Sequence, residues 1–556
     1  MKLTRRQGAH GVLGVVAFAL VATILVAGCG GKKKSAAPST KTSGKTYSLL
    51  KVTWGDTDYF DPGLSYRLES WQVFQNVYNG LLTTKHAGGA AGTQIIPALA
   101  TSLPKTNANG TDLTFTLRPN LKYSNGKPVK ASDFAATIVR DFNMNSPGIG
   151  FYANIVGAAG CEKTPTNCKS ISGIISNDSA GTVEIKLAKP EADFEYILTI
   201  PFSAPVPAGT PATPQTNPPP PANGPYYIAS YKPHASFVVK RNPYYKNSIP
   251  TVPSGNPDEM DAKILNDLDA SAQTVISGTS MYDESLLPKD RLAQIQKKYA
   301  SQVRYYTCAC TWYFFLNFRY PPFSSLQARQ AVNYAIDRNQ LVQIFGGLGK
   351  PTQNFLPPTY PQYKKITTYT HDLAKAKSLV KASGMAGTAV KVYAPTDDPG
   401  KSAGEYLQSV LNQIGFKASI REIGPGPYFT ILGNQATKAQ IGYTDWLQDY
   451  PYPTDWFNIL LNGEVITPTH NNNYGDVDIK PLNSKIDQLK VTPPSSAFST
   501  ATNAAWAKLD YDYVVTNSAV VPYLNEIETD FFSSKMDASC DVDTNFNADW
   551  AQFCQK

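Results

Sequence analysis

One apolar run decides what the rest of this chain can be. Gly11–Val26 carries no charge, follows Lys2, Arg5 and Arg6, and leads into Val26-Ala27-Gly28-Cys29. A positive flank, a short hydrophobic stretch and small residues before a cysteine make an export signal, removed on maturation. The expectation is a leader at 1–28 and a lipid on the Cys29 thiol. No later run reaches the ~20 apolar residues that a membrane span requires. The lipid would therefore be the only anchor, and a body of about 510 residues, enough for two or three domains, must bury its own apolar groups.

Residues 29–45 are small, polar and basic, and read as a flexible tether. The formal charge is +8. Three positive groups lie in the leader and five lysines in the tether, which leaves the body neutral. Its basic residues form no stripe, so nucleic acid is not an expected partner; the tether suits an anionic lipid surface. Six cysteines remain beside Cys29, an even number in an oxidising compartment. Cys161 with Cys168 and Cys540 with Cys554 bracket short loops, each bridge being worth about 2.5–3 kcal/mol by loop closure. Cys308 and Cys310 form a C-x-C that in a regular strand could bridge only with strain. With no histidine within 60 residues of it, a metal site there is the weaker reading, and no metal or other cofactor is expected. Spacing alone leaves fifteen pairings open.

Along the body, strand patterns alternate with helical ones. "YSLLKVTW" (47–54) reads as a strand, and Val73, Val77 and Leu81 have helical spacing. Asn125-Gly126 supplies a hairpin turn, and Ser132 is the expected cap of a helix carrying Phe134, Ile138 and Phe142. Residues 201–225, rich in proline, read as an exposed, extended connector. Thr307–Phe318 reads as one aromatic strand and Ser324–Gly346 as one helix. "AVKVYAP", "SAGEYLQSVLNQIG" and "FKASIREI" make a β-α-β unit of an open α/β lobe.

Gly442–Trp456, "GYTDWLQDYPYPTDW", holds five aromatic residues, three aspartates and no lysine or arginine. It is too polar for a core strand and too aromatic for an ordinary loop. Its "DWLQDYPYP" belongs to an ordered set of segments: "FDPGLS", "NVYNGLL", "IPALATSLP", "LTFTLRPNLKYSNGKPVKASDF", "NGPYYI" with "VKRNPYY", and "FLNFRYPPFSSLQARQAVNYAIDR". In that order they resemble the family 5 extracellular solute-binding proteins, receptors of bacterial peptide and nickel ABC importers. The resemblance spans Tyr47 to about Tyr523.

It implies an α/β chain with the two-lobed periplasmic-binding-protein fold (type II, large cluster) and an extra β-rich subdomain on lobe one. Lobe one would comprise 46–80, 222–315 and 516–556, the subdomain 81–221, and lobe two 316–515, with crossings near Tyr313–Phe318 and Val515–Tyr523. It also implies a monomeric, non-enzymatic receptor that hands a peptide or other small solute to ABC permease subunits. Asp449 falls on the position that meets a peptide α-ammonium. Trp446, Tyr443 and Tyr450 would shield it, and Tyr66, Arg67 and Leu68 would lie across the cleft. Asp445 stands where the family has glycine and adds a second acid. Asn317 would brace the hinge or touch ligand. No arginine is marked as a carboxylate clamp; Arg67, Arg319 and Arg421 are unranked. The rival ligands on this scaffold are an oligosaccharide, a glutathione-like solute or chelated nickel. A secreted hydrolase is the rival of another class, with Asp445 and Asp449 as its conceivable carboxylate pair; neither H-E-x-x-H nor C-x-x-C occurs.

Overall fold

The computed structural model describes residues 46–493 and 496–556. The leader, Cys29 and the tether lie outside them.

A single 13-residue strand, Val520–Phe532, organises the sheet. Its first half pairs with Cys310–Leu316 and Gly349–Pro351, and its second half with Val303–Thr307 and Tyr282–Asp283. Beyond Cys310–Leu316 the order runs Ile441–Leu447, Ala389–Pro395, Lys417–Ile423; beyond Tyr282–Asp283 it runs Tyr47–Trp54, Pro257–Ile264, Ser236–Arg241, Tyr226–Lys232. Two half-sheets therefore meet along two chain passages, Val303–Leu316 and Val520–Phe532. Ala389–Pro395 and Lys417–Ile423 are parallel, joined by the helix Gly400–Ile414 that ends on Gly415 at φ 109°. That positive φ suits glycine, which lacks the Cβ that would clash. That helix packs on the two strands, so Val390, Val392, Leu407, Val410 and Leu411 are buried together. Among the described residues, no helix is long and apolar enough to cross a membrane.

A separate four-stranded sheet, in the order Lys105–Thr106, Asp112–Thr116, Thr182–Lys186, Ile174–Asn177, packs against the helix Ala131–Asn143. The expected cap of that helix needs correction. Lys130 occupies the cap position, and Asp133 at the third helical position accepts from the Lys130 amide at 2.9 Å. Asp133 also accepts from the Tyr123 hydroxyl and the Ala208 amide, whereas Ser132 bonds outward to Asp178.

Other expectations change too: the helix read through Val73, Val77 and Leu81 ends at Phe74. The aromatic strand is interrupted at Cys308-Ala309, and the two cysteines are bridged with their Cα atoms 5.1 Å apart. Because they straddle this break, the argument from regular strand geometry does not apply. Cys161–Cys168 and Cys540–Cys554 are bridged as well. The long helix splits into Leu326–Ala335 and Arg338–Ile344, because the Asp337 carboxylate caps a new start by accepting from Asn339 and Gln340 amides. The proline-rich connector is exposed only in its middle: 201–206 and 222–226 are buried. Arg140 reaches into it, donating to the Pro211 and Thr213 carbonyls while gripping Asp61 through both terminal nitrogens.

Candidate functional site

Asp449 stands just past the Ile441–Leu447 strand, where the chain turns toward the helix Thr454–Leu461. Two prolines, Pro451 and Pro453, prevent the strand from continuing. Asp455, in the first turn of that helix, accepts from the Asp449 amide at 3.0 Å and from the Trp446 indole at 3.2 Å. The turn is thereby folded onto itself, with Asp449 only 5% exposed.

The opposite wall comes from residues far away in sequence. Asp58 organises it by accepting from the Tyr66 amide and from the Ser65 and Ser70 hydroxyls. The Tyr66 ring lies stacked on Trp71, with centroids 5.5 Å apart, and meets Trp446 edge-on at 6.3 Å. Its hydroxyl donates to Asp449 Oδ2 at 2.5 Å. From the carboxy-terminal tail, Asn545 donates to the Asp449 carbonyl at 3.1 Å and accepts from Gln448. Tyr450 turns the other way, bonding Asp193 at 2.9 Å and stacking on Tyr196.

No cation offsets this carboxylate among the ion pairs of the described residues. Burial pushes Asp449 well above the usual carboxylate range, and the Tyr66 hydroxyl partly offsets that rise. Asp455 is pushed up by burial and then by the neighbouring Asp449; its Oδ1 is buried without a partner. Asp445 is pushed up to about 7 by burial, and Glu69 adds to the rise while Arg67 opposes it. Such a site suits a positive group, since an ammonium would satisfy the orphaned Asp455 oxygen and cancel the charge.

The other expected residues divide. Arg67 forks onto Glu69 with two bonds of 3.1–3.2 Å and keeps about half its side chain exposed. Leu68 opens the helix Leu68–Phe74, half-buried. Tyr443 is a buried member of the Ile441–Leu447 strand, 5.2 Å from the Trp312 ring. Asn317 is tied to the Tyr474 carbonyl, Asp476 and the Arg319 amide, and no hydrogen bond joins it to Asp449 among the described residues. Of the other two arginines, Arg319 lies 3.6 Å from Asp476 and Arg421 lies over Tyr393. Asp455, Asn545 and Asp193 were not singled out by sequence reasoning. Asp455 lies in the same conspicuous stretch, yet nothing there distinguishes an acid that faces inward from one that caps a turn. One G-x-S-x-G does occur, Gly400–Gly404, but Ser402 sits in the first turn of a helix and donates to Asp398. No histidine bonds it among the described residues, so it has no hydrolase triad.

Fold and site together define a two-lobed solute receptor. The model of bacterial extracellular solute-binding proteins, family 5, matches residues 94–467, and the chain belongs to that family of binding proteins rather than to the enzymes. It is similar to the periplasmic oligopeptide-binding protein OppA of Escherichia coli, 24% identical over 510 residues that span 87% of this chain and 88% of that protein. It is also similar to the heme-binding protein A of Haemophilus influenzae, 27% identical over 397 residues, 65% of this chain and 67% of that protein. Among solved structures, clavulanic acid biosynthesis oligopeptide binding protein 2 superposes with a TM-score of 0.79 at 21% identity, covering 92% of this chain and 96% of the other. DppA of Helicobacter pylori, in complex with the peptide STSA, gives 0.75 at 19%, covering 92% and 98%. These superpositions establish the two-lobed fold.

Proposed function

We propose that this protein is the lipid-anchored receptor of an ABC importer, and that it captures peptides by their α-ammonium group at Asp449. The observation that carries this reading is an enclosed carboxylate with no paired cation among the described residues, held where two halves of the molecule meet. In a site closed to water a charge-assisted bond to one carboxylate fixes one end of any peptide, while the peptide backbone pairs with strand edges and leaves its side chains free to vary. The peptide ligands named for several relatives support the same class of solute. Lobe one would be 46–80, 222–315 and 516–556 with its subdomain at 81–221, and lobe two 316–515. Closure would flex the two passages along which the half-sheets meet, Val303–Leu316 and Val520–Phe532. Cys29 would hold the receptor at the membrane, beside the permease that takes the ligand.

Calorimetry with Asp449→Asn tests the reading. A free tripeptide is expected to lose about 2 kcal/mol, roughly thirty-fold in affinity, and its N-acetylated form much less. Equal losses for both refute the ammonium role.

A further inference from the structure

Four residues before Asp449, Asp445 begins a longer set of carboxylates. Glu526, Glu528 and Asp530 occupy alternate positions of the Val520–Phe532 strand, so they share a face. Glu526 and Asp530 are buried. Asp445 lies opposite Trp312 in the strand register, and the Trp312 indole donates to Glu526 at 2.9 Å. From the tail that also supplies Asn545, Asp541 accepts from Tyr306 at 2.5 Å, while Asp530 accepts from Tyr282 at 2.5 Å. Glu69 and Glu284 complete the set near Gly55, whose amide donates to Glu284 at 3.0 Å.

What most of these acids lack is a directly paired counter-charge, although Arg67 lies near Asp445. Among the described residues only Glu69 makes an ion pair, with Arg67, and Arg304 is the one cation beside Asp530. The donors that hold Glu526, Asp530, Asp541 and Glu284 are an indole, two phenols and a backbone amide, which orient a carboxylate without neutralising it. Two buried polar atoms are left open in this set: Oδ1 of Asp541, and the hydroxyl of the fully buried Tyr523 near Asp445 and Glu526. An unpaired buried charge is costly, so such acids either take up a proton or meet a cation. Burial pushes Glu526 and Asp543 up to about 7, the expected behaviour of acids waiting for a cation.

Building on the peptide reading of Asp449, we propose that the ligand is a basic peptide, whose lysine or arginine side chain near the amino terminus is taken up between Asp445 and Glu526. Four residues of extended chain separate Asp445 from Asp449, at most about 13 Å. A peptide anchored at Asp449 spans that distance with one or two residues and a long side chain. The further acids, Glu528, Asp530 and Asp541, extend the same preference along the bound chain.

The test is calorimetry on the full protein at pH 7.5 with Lys-Lys-Ala and Ala-Ala-Ala, repeated on Asp445→Asn/Glu526→Gln. Near-ultraviolet circular dichroism checks the fold, and Glu526→Gln alone serves if the double variant does not fold. Lys-Lys-Ala is expected to bind at least tenfold more tightly than Ala-Ala-Ala, and the double variant to narrow that gap below threefold. Raising salt from 50 to 300 mM should weaken only the basic peptide substantially. Equal affinities, or a gap that survives both substitutions, overturn the basic-peptide assignment while leaving the ammonium site standing. Binding of neither tripeptide overturns both.

Discussion

The Tyr66 hydroxyl donates to Asp449 across 383 positions of the chain, at 2.5 Å. Tyr66 belongs to the segment that follows the first strand, and Asp449 to the end of a strand in the other half-sheet. The bond therefore ties the two halves at the site itself. A phenol is a donor that does not neutralise a carboxylate, so it can hold Asp449 in place without satisfying its charge.

Tyr66→Phe removes that tie and leaves the ring on Trp71. A hydrogen bond to a charged group contributes about 1.5–3 kcal/mol, so the ligand-free variant is expected to open. Small-angle scattering at pH 8 should give a larger radius of gyration than for the wild type. An unchanged radius would mean that other contacts, such as Tyr450 with Asp193, hold the halves together.

Acid should stabilise the ligand-free protein. Asp445, Glu526 and Asp543 have folded-state values pushed up to about 7, above those of an unfolded chain. The folded state thus binds more protons than the unfolded one between roughly pH 4 and 7. The stability linked to these groups is complete below their unfolded values and is lost as pH rises through about 7. Facing them are Glu69 and Arg67 beside Asp445, Asp445 and the Trp312 indole beside Glu526, and Asp530 beside Asp543. The melting temperature at pH 5.5 is expected to exceed that at pH 8.0 by roughly 2–5 °C. A flat or inverted profile from scanning calorimetry would show that these acids are not buried in the free protein.

Arg140→Ala strips Asp61 of its buried partner and releases the Pro211 and Thr213 carbonyls. Breaking one side of a buried pair costs about 3–5 kcal/mol. Asp141, both of whose oxygens are buried and unpartnered beside this pair, leaves no alternative counter-charge. The urea midpoint should fall. Amide exchange around Gln215, whose N–H bonds Asp61, should quicken; unaltered exchange would mean that the prolines alone shape this connector.

How much of this was legible depends on how local each cause is. The β-α-β unit and its terminal Gly415 follow from periodicity and a positive-φ position, both written within 35 residues. Asp449 and Tyr66 stood out through segments that resemble a family. The burial of the proline-rich flanks did not, because its partners lie far upstream: Thr137 accepts from the Val206 amide across 69 positions, and Asn223 accepts from the Asn79 amide across 144. Asp337 breaks a periodic helix by a side-chain bond that periodicity does not register. Glu526, Glu528 and Asp530 carried a readable signal, three acids at strand spacing between apolar ends, but only the folded arrangement brings Glu526 toward Asp445.

The tail disulfide should matter to the ligand as well as to stability. Cys540 and Cys554 close a loop with a separation of 14 residues, and opening it with Cys540→Ala/Cys554→Ala costs about 3 kcal/mol by chain entropy. Within that loop, Trp550 is fully buried against Tyr226, and Asp549 is held by Asn76 and His86. These contacts keep the distal half docked without the bridge. The proximal half carries Asp541, Asp543 and Asn545, and its firmest links to the rest are Asn545 to Asp449 and Gln448, Tyr306 to Asp541, and Thr544 to Gln75. Freed at Cys540, this half should loosen first. Peptide affinity is then expected to drop several-fold together with the melting temperature. A lower melting temperature with unchanged affinity would separate the tail from the grip on Asp449 and confine its role to holding the first half-sheet.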